Sequence, residues 1–186
     1  MKWFARLAAL GTFVLCATSA ARADASSDLQ GEIEHALRAV KSFAATSVVP
    51  QAGTTIKLVF VAPNRLRTDV TDGTNSTSAI TIGEVSYASK NGSPYQKFAS
   101  AAEQRDLLES ARAVTVTAIQ PDIVANSITY GAYETIVGEG ASAFTLACTY
   151  DKKTYLPAVC TGSRVVQTFS DYNSPKNIIE LPKEMN

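Results

Sequence analysis

Cys148 and Cys160 lie twelve positions apart in "FTLACTYDKKTYLPAVCTG", either side of a run of turn-forming residues. A turn centred near Thr154 would set them opposite one another on neighbouring antiparallel strands, where paired residues share a face and lie about 4.5–5.5 Å apart at Cα. A disulfide fits that separation; the alternative is a pair of buried thiols. Other chemistry is sparse. The lone histidine, His35, falls on the polar side of a helical stretch, among Glu32, Arg38 and Ser42, so it is expected to be solvated. One histidine and a bridged cysteine pair assemble none of the usual zinc sites, and no serine occupies a G-x-S-x-G elbow. "GEGASA" fits G-x-G-x-x-A through Gly138, Gly140 and Ala143, but the dinucleotide fingerprint needs a helix next. Here "FTLACTY" comes next, a strand pattern, so the match is read as a hairpin turn. The acids Asp69, Asp72, Glu134, Glu139, Asp151 and Asp171 fall at expected strand ends or turns, where solvated carboxylates are ordinary. Asn75-Ser76-Thr77 is a glycosylation sequon only in a eukaryotic secretory route. No catalytic residue, metal or cofactor is expected, and the chain is read as a non-enzyme.

The chain ends say where a disulfide would form. "MKWFARLAALGTFVLCATSAARA" carries Lys2 and Arg6, an apolar run from Leu7 to Ala17, and Ala21-Arg22-Ala23 before Asp24. That is the grammar of a secretory signal peptide, cut between Ala23 and Asp24. The run is far short of the ~20 residues that a spanning helix needs. Leu15 before Cys16 is too large for a lipid-attachment signal. Residues 1–23 are thus expected to be a leader and residues 24–186 one exported domain, a monomer. An exported chain meets oxidising conditions, and an even number of cysteines there supports the bridge. The full chain has 17 basic and 17 acidic residues. Removing Lys2, Arg6 and Arg22 leaves 14 − 17 = −3, with scattered charges. No basic stripe is present to hold nucleic acid.

These residues must be placed by elements whose period is legible. In "SSDLQGEIEHALRAVKSF", Leu29, Ile33, Ala36, Leu37, Val40 and Ala44 form one helical stripe, with a capping box of Ser27 and Gln30 at its start. From Ala45 the period becomes two. Strands are expected at "TTIKLVFVA", "RLRTDVT", "SAITI", "EVSYAS" and "YQKF", with turns at Pro63-Asn64, Asp72-Gly73, Gly83 and Asn91-Gly92. A second helix, "SAAEQRDLLESARA", opens with Ser100 and Glu103. Strands resume at "AVTVTAI", "SITYGAYETIV", "SAFTLACTYD" and "AVCTGSRVVQTF". Short strands with regular turns indicate an antiparallel meander, and the class is α+β.

In "TIKLVFVA", Ile56, Leu58 and Phe60 point one way while Val59 and Val61 point the other. A sheet with one wet face should alternate more cleanly. Two-sided apolarity fits a curved sheet under helices or an internal cavity, and equally a filled core.

The order of motifs resembles that of the LolA-like superfamily of periplasmic outer-membrane lipoprotein carriers. The carrying segments are the opening helix "DASSDLQGEIEHALRAVKSFAATSVV", "VFVAPNRLRTDV", "ITIGEVSYASKNGSPYQKF", "YETIVGEGASAFTLACTYDKKTYLPAVC" and "QTFSDYNSPKNIIELP". The resemblance implies an incomplete antiparallel β-barrel whose concave face is covered by helices. It also implies lipid or lipoprotein acyl chains bound between sheet and helices, and an inner- or outer-membrane partner protein. The function so implied is a carrier of acylated ligands. A sensor of the same fold acting through a protein partner is the alternative, and an enzyme using the cavity is a distant one. The expected ligand-binding residues are Ile56, Leu58, Phe60, Ile80, Ile82, Phe144 and Leu146 from the sheet, with Leu107 and Leu108 as a helical cover. The clasped hairpin would then form part of the ligand site.

Overall fold

The computed structural model of the chain describes residues 11–99, 114–138 and 143–182. Helix α1 spans Gly11–Ala39. Its stripe of Leu29, Ile33, Leu37 and Val40 is buried, as the spacing requires. The helix does not start at the Ser27 capping box. It runs back across Ala23 and Asp24, because the alanine-rich stretch before Ser27 costs little in helical form. Gln30 is therefore released from capping: its Nε2 donates to Glu34 Oε1 at 3.2 Å, and its Oε1 accepts from the Val116 N–H at 3.2 Å.

Among the described residues, eleven strands form one unclosed antiparallel sheet. They are β1 (Ser42–Val49), β2 (Thr54–Val61), β3 (Arg65–Asp72), β4 (Asn75–Ile82), β5 (Val85–Lys90) and β6 (Gln96–Ala99), then β7 (Val116–Ala125), β8 (Ile128–Val137), β9 (Phe144–Asp151), β10 (Pro157–Thr161) and β11 (Val166–Ser170). The spatial order is β6-β5-β4-β3-β2-β1-β11-β10-β9-β8-β7. Both sequence halves are meanders, joined where β1 pairs with β11. The two edges, β6 and β7, are consecutive in the chain. The expected second helix, between them, lies outside the described residues.

Two boundaries differ from the sequence expectation. β1 begins at Ser42 rather than Ala45, since Phe43 is already buried beside Phe60 across the strand pair. β7 runs through Pro121 to Ala125 instead of stopping at Ile119. Proline lacks the N–H a central strand must donate, but an edge strand tolerates it, and β7 is an edge. The helix–strand junction is tied to the end of the sheet by Asn173, whose Oδ1 accepts from the Lys41 N–H at 2.7 Å and whose N–H donates to Ser42 O at 2.7 Å.

Two buried clusters make up the core on the face that α1 covers, here the inner face. One gathers Leu29, Ile33 and Leu37 against Val116, Tyr133, Leu146, Cys148, Tyr150 and Cys160. The other centres on Val40, Phe43, Ala45 and Phe60. Phe169 and Leu156 touch both.

Candidate ligand-binding face

Cys148 and Cys160 are directly paired between β9 and β10 and form a disulfide, with Cα atoms 4.0 Å apart. The turn between them is built by the Asp-x-x-Thr-x-Leu-Pro run. Asp151 Oδ1 accepts from the N–H groups of Lys153 and Thr154 at 2.8 and 2.9 Å. Those bonds, the Lys153 N–H first, hold its carboxyl below the ordinary range. The motif is thus turn chemistry.

The clasped hairpin does not present an open inner surface. Leu146, Cys148 and Cys160 are covered by Leu29, Ile33 and Leu37 of α1. Tyr133, only 2% exposed, sits opposite Cys148, and burial pushes its phenol up to about 12. Tyr150 lies across Gly131, where a Cβ would enter the space of its ring, and stacks on Tyr155 at 5.8 Å. Of the hairpin residues expected to face a ligand, Leu146 is taken up by the core. Phe144 keeps partial exposure beside the Arg164 guanidinium, 5.9 Å from its ring centre.

The other half of the inner face differs. Strand register carries Leu58 opposite Ala45 and Thr68, and Ile56 opposite Ser47 and Val70. Phe60, opposite Phe43 and Leu66, is 1% exposed and closes this half toward the core. Ile56, Leu58, Leu66 and Val70 are all only half-buried. Together they make an apolar strip on one face of β2 and β3.

Ile80 and Ile82 do not join that strip. Ile80 pairs with Arg67 and Ile82 with Arg65, so both stand on the outer face. Ile80 is covered there by the chain's end: Ile179 is 2% exposed, and its carbonyl accepts from Arg65 Nη1 at 2.9 Å. The Asp72–Asn75 pair fixes this parity, because a two-residue turn puts even residues of β3 opposite odd residues of β4. Leu66 and Val70, which sequence reasoning did not select, join Leu58 on the inner face through the β2–β3 pairing, in which Val61 stands opposite Arg65 and Leu58 opposite Thr68. Leu107 and Leu108 lie outside the described residues.

The polar residues are engaged or exposed. Asp69 Oδ2 accepts from Arg67 Nε at 2.9 Å, and its Oδ1 from Ser78 Oγ at 2.5 Å, on the outer face. Glu134 accepts from Gln120 Nε2 at 2.8 Å. His35 is exposed. A dinucleotide fingerprint at Gly138 would have to open a helix, and the chain instead enters strand β9 at Phe144; residues 139–142 lie outside the described residues. Among the described residues, no three His, Cys, Asp or Glu side chains gather where a metal ion could sit.

A concavity lies between Ala25–Gln30 of α1 and Val116–Pro121 of β7. This groove holds about 1120 Å³ and carries Ile119 on its β7 side.

The chain has the LolA-like fold, as its motif order implies. It is similar to LprF from Mycobacterium bovis, with a TM-score of 0.61 and 11% identity over 87% of this chain and 98% of that one. It is also similar to the Mycobacterium tuberculosis lipoprotein LppX, with a TM-score of 0.56 and 14% identity over 82% and 99% of the two chains. At these identities the likeness is one of fold. No family model matches the sequence, and none of the curated proteins does.

Proposed function

We propose that this chain is a non-enzymatic, extracytoplasmic binding protein and carrier for acylated ligands, whether lipids or lipoproteins. The acyl chains lie on the inner face of β2 and β3. The observation that carries this is the strip of Ile56, Leu58, Leu66 and Val70, left half-buried while the clasped half of the same face is filled by α1. The shared fold with a lipoprotein and the leader-like first 23 residues support the setting.

Binding of this kind is driven by removing apolar surface from water. Each additional acyl methylene should raise affinity about fourfold, from roughly 0.8 kcal/mol per buried CH₂, with little dependence on salt. The test is mass spectrometry of organic extracts from protein purified without detergent. Acyl-bearing lipid in near-stoichiometric amount supports the function. Empty protein that also ignores fluorescent fatty acids in titration contradicts it.

A further inference from the structure

Among the described residues, six of the nine exposed large apolar side chains belong to one hairpin: Ile119, Ile123, Val124, Ile128, Ile136 and Val137 on β7 and β8. Val124 is 71% exposed. Strand register explains why the tip is so bare. β8 pairs with β9 from Tyr130, opposite Asp151, onward, but its pairing with β7 continues outward through Val124–Thr129 and Ala125–Ile128. The end of the hairpin therefore projects past β9 as a two-stranded ribbon.

The ribbon closes through Asn126 and Ser127, at φ +49° and +62°, the left-handed pair that a tight primed turn requires. No charged residue occurs from Ile123 to Tyr130. Alternation puts Ile123, Ile128 and Tyr130 on one side and Val124 on the other. A protein surface would cover one side of such a ribbon; lipid covers both. Strand addition by a second copy is disfavoured, because Pro121 and the register shifts on either side of Gln120 break up the β7 edge. Lys152 and Lys153, exposed at the β9–β10 turn beside Tyr130, stand at the base of the ribbon. Lys152 Nζ lies 2.6 Å from Asp122 Oδ2. A tip without charge above a ring of polar groups, Tyr130 with Lys152, Lys153, Asp122 and Asp151, matches the layering of a bilayer surface in placing apolar groups below polar ones.

We propose that the tip of the β7–β8 hairpin is a membrane-docking ribbon that inserts shallowly into the headgroup–acyl boundary. Insertion stops there because the free edge of β7 carries backbone groups that hydrocarbon cannot satisfy. The proposal rests on the acyl-ligand function only for its purpose. Docking brings the protein to the bilayer from which an acyl chain would come.

The chain holds one tryptophan, Trp3, within the leader-like segment. In the chain recovered after export, Val124→Trp therefore introduces the sole indole. With phosphatidylcholine vesicles its emission should shift to the blue, be quenched by brominated acyl chains, and persist at high salt. Ile123→Asp combined with Val124→Asp should lower vesicle partition about tenfold or more, with an unchanged thermal melt. An indole that ignores vesicles, a double variant that still binds them fully, or a blue shift that needs only more protein would each overturn the proposal. The last would make the tip a self-association surface. A fatty-acid titration without vesicles separates the two ideas. Failure there, with the indole still inserting, removes the acyl function and leaves the docking ribbon.

Discussion

The inner face of this sheet has two halves that were given similar residues and put them to different uses. Over β8, β9 and β10, helix α1 fills the face, a disulfide joins the strands, and Ile33 and Cys148 are at most 1% exposed. Over β2 and β3, Ile56, Leu58, Leu66 and Val70 are equally apolar yet only half-buried. On the proposed function, stability and binding capacity are thus separated along one face. The half stabilised by contacts within the chain has no surface to offer, and the half with surface to offer contributes less stability.

The largest expected effect breaks the clasped half. Ile33→Ala removes a side chain with no exposure and should cost about 2–5 kcal/mol in urea unfolding. Leu58→Ala, half-buried, should cost well under half of that. Equal losses would erase the distinction. Next comes the bridge. Replacing Cys148 and Cys160 by alanine opens a link between residues 12 apart and should cost about 2–3 kcal/mol. Acyl binding at Leu58 should remain. A loss of ligand affinity without loss of stability would instead put the hairpin in the site.

A smaller effect comes from Tyr133. Its phenol titrates at about 12 in the folded chain against 10.0 ordinarily, because burial disfavours the anion. The folded state therefore holds its proton more tightly. That stabilisation is complete below pH 10 and is lost as pH rises from 10 toward about 12, roughly 3 kcal/mol in all. Tyr133→Phe should flatten this alkaline fall in unfolding experiments. A fall of unchanged size would assign it elsewhere.

Much of the fold was legible because its signals are local. Asn-Gly and Asp-Gly turns, period-two runs and the Leu29–Ile33–Leu37 stripe each act within a few residues. The bridge was legible because the turn and the spacing agreed. What was hidden depends on which surfaces meet. The apolar pattern of "SAITI" says that Ile80 and Ile82 share a face, but the face is decided by pairing with β3, through the turn after Asp72. Counting pairs from the β2–β3 turn, which sets Val61 opposite Arg65, would have selected Leu66 and Val70. Leu146 has the pattern of a ligand-facing residue, and only the path of α1 shows that it is covered. The course of β7 through Pro121 was likewise obscured, since proline marks a break except at an edge, and edges are a property of the whole sheet.

The most direct test uses two neighbours on one strand. Leu58 faces inward toward Thr68, while Val59 faces outward opposite Arg67. Both are half-buried. Leu58→Asp and Val59→Asp add the same charge one residue apart, and circular dichroism would confirm that both fold. Fluorescent fatty-acid titration should show affinity falling more than tenfold for Leu58→Asp and staying close to the parent value for Val59→Asp. Equal affinities in the two variants, whether both lost or both kept, would contradict an acyl site on the inner face of β2 and β3.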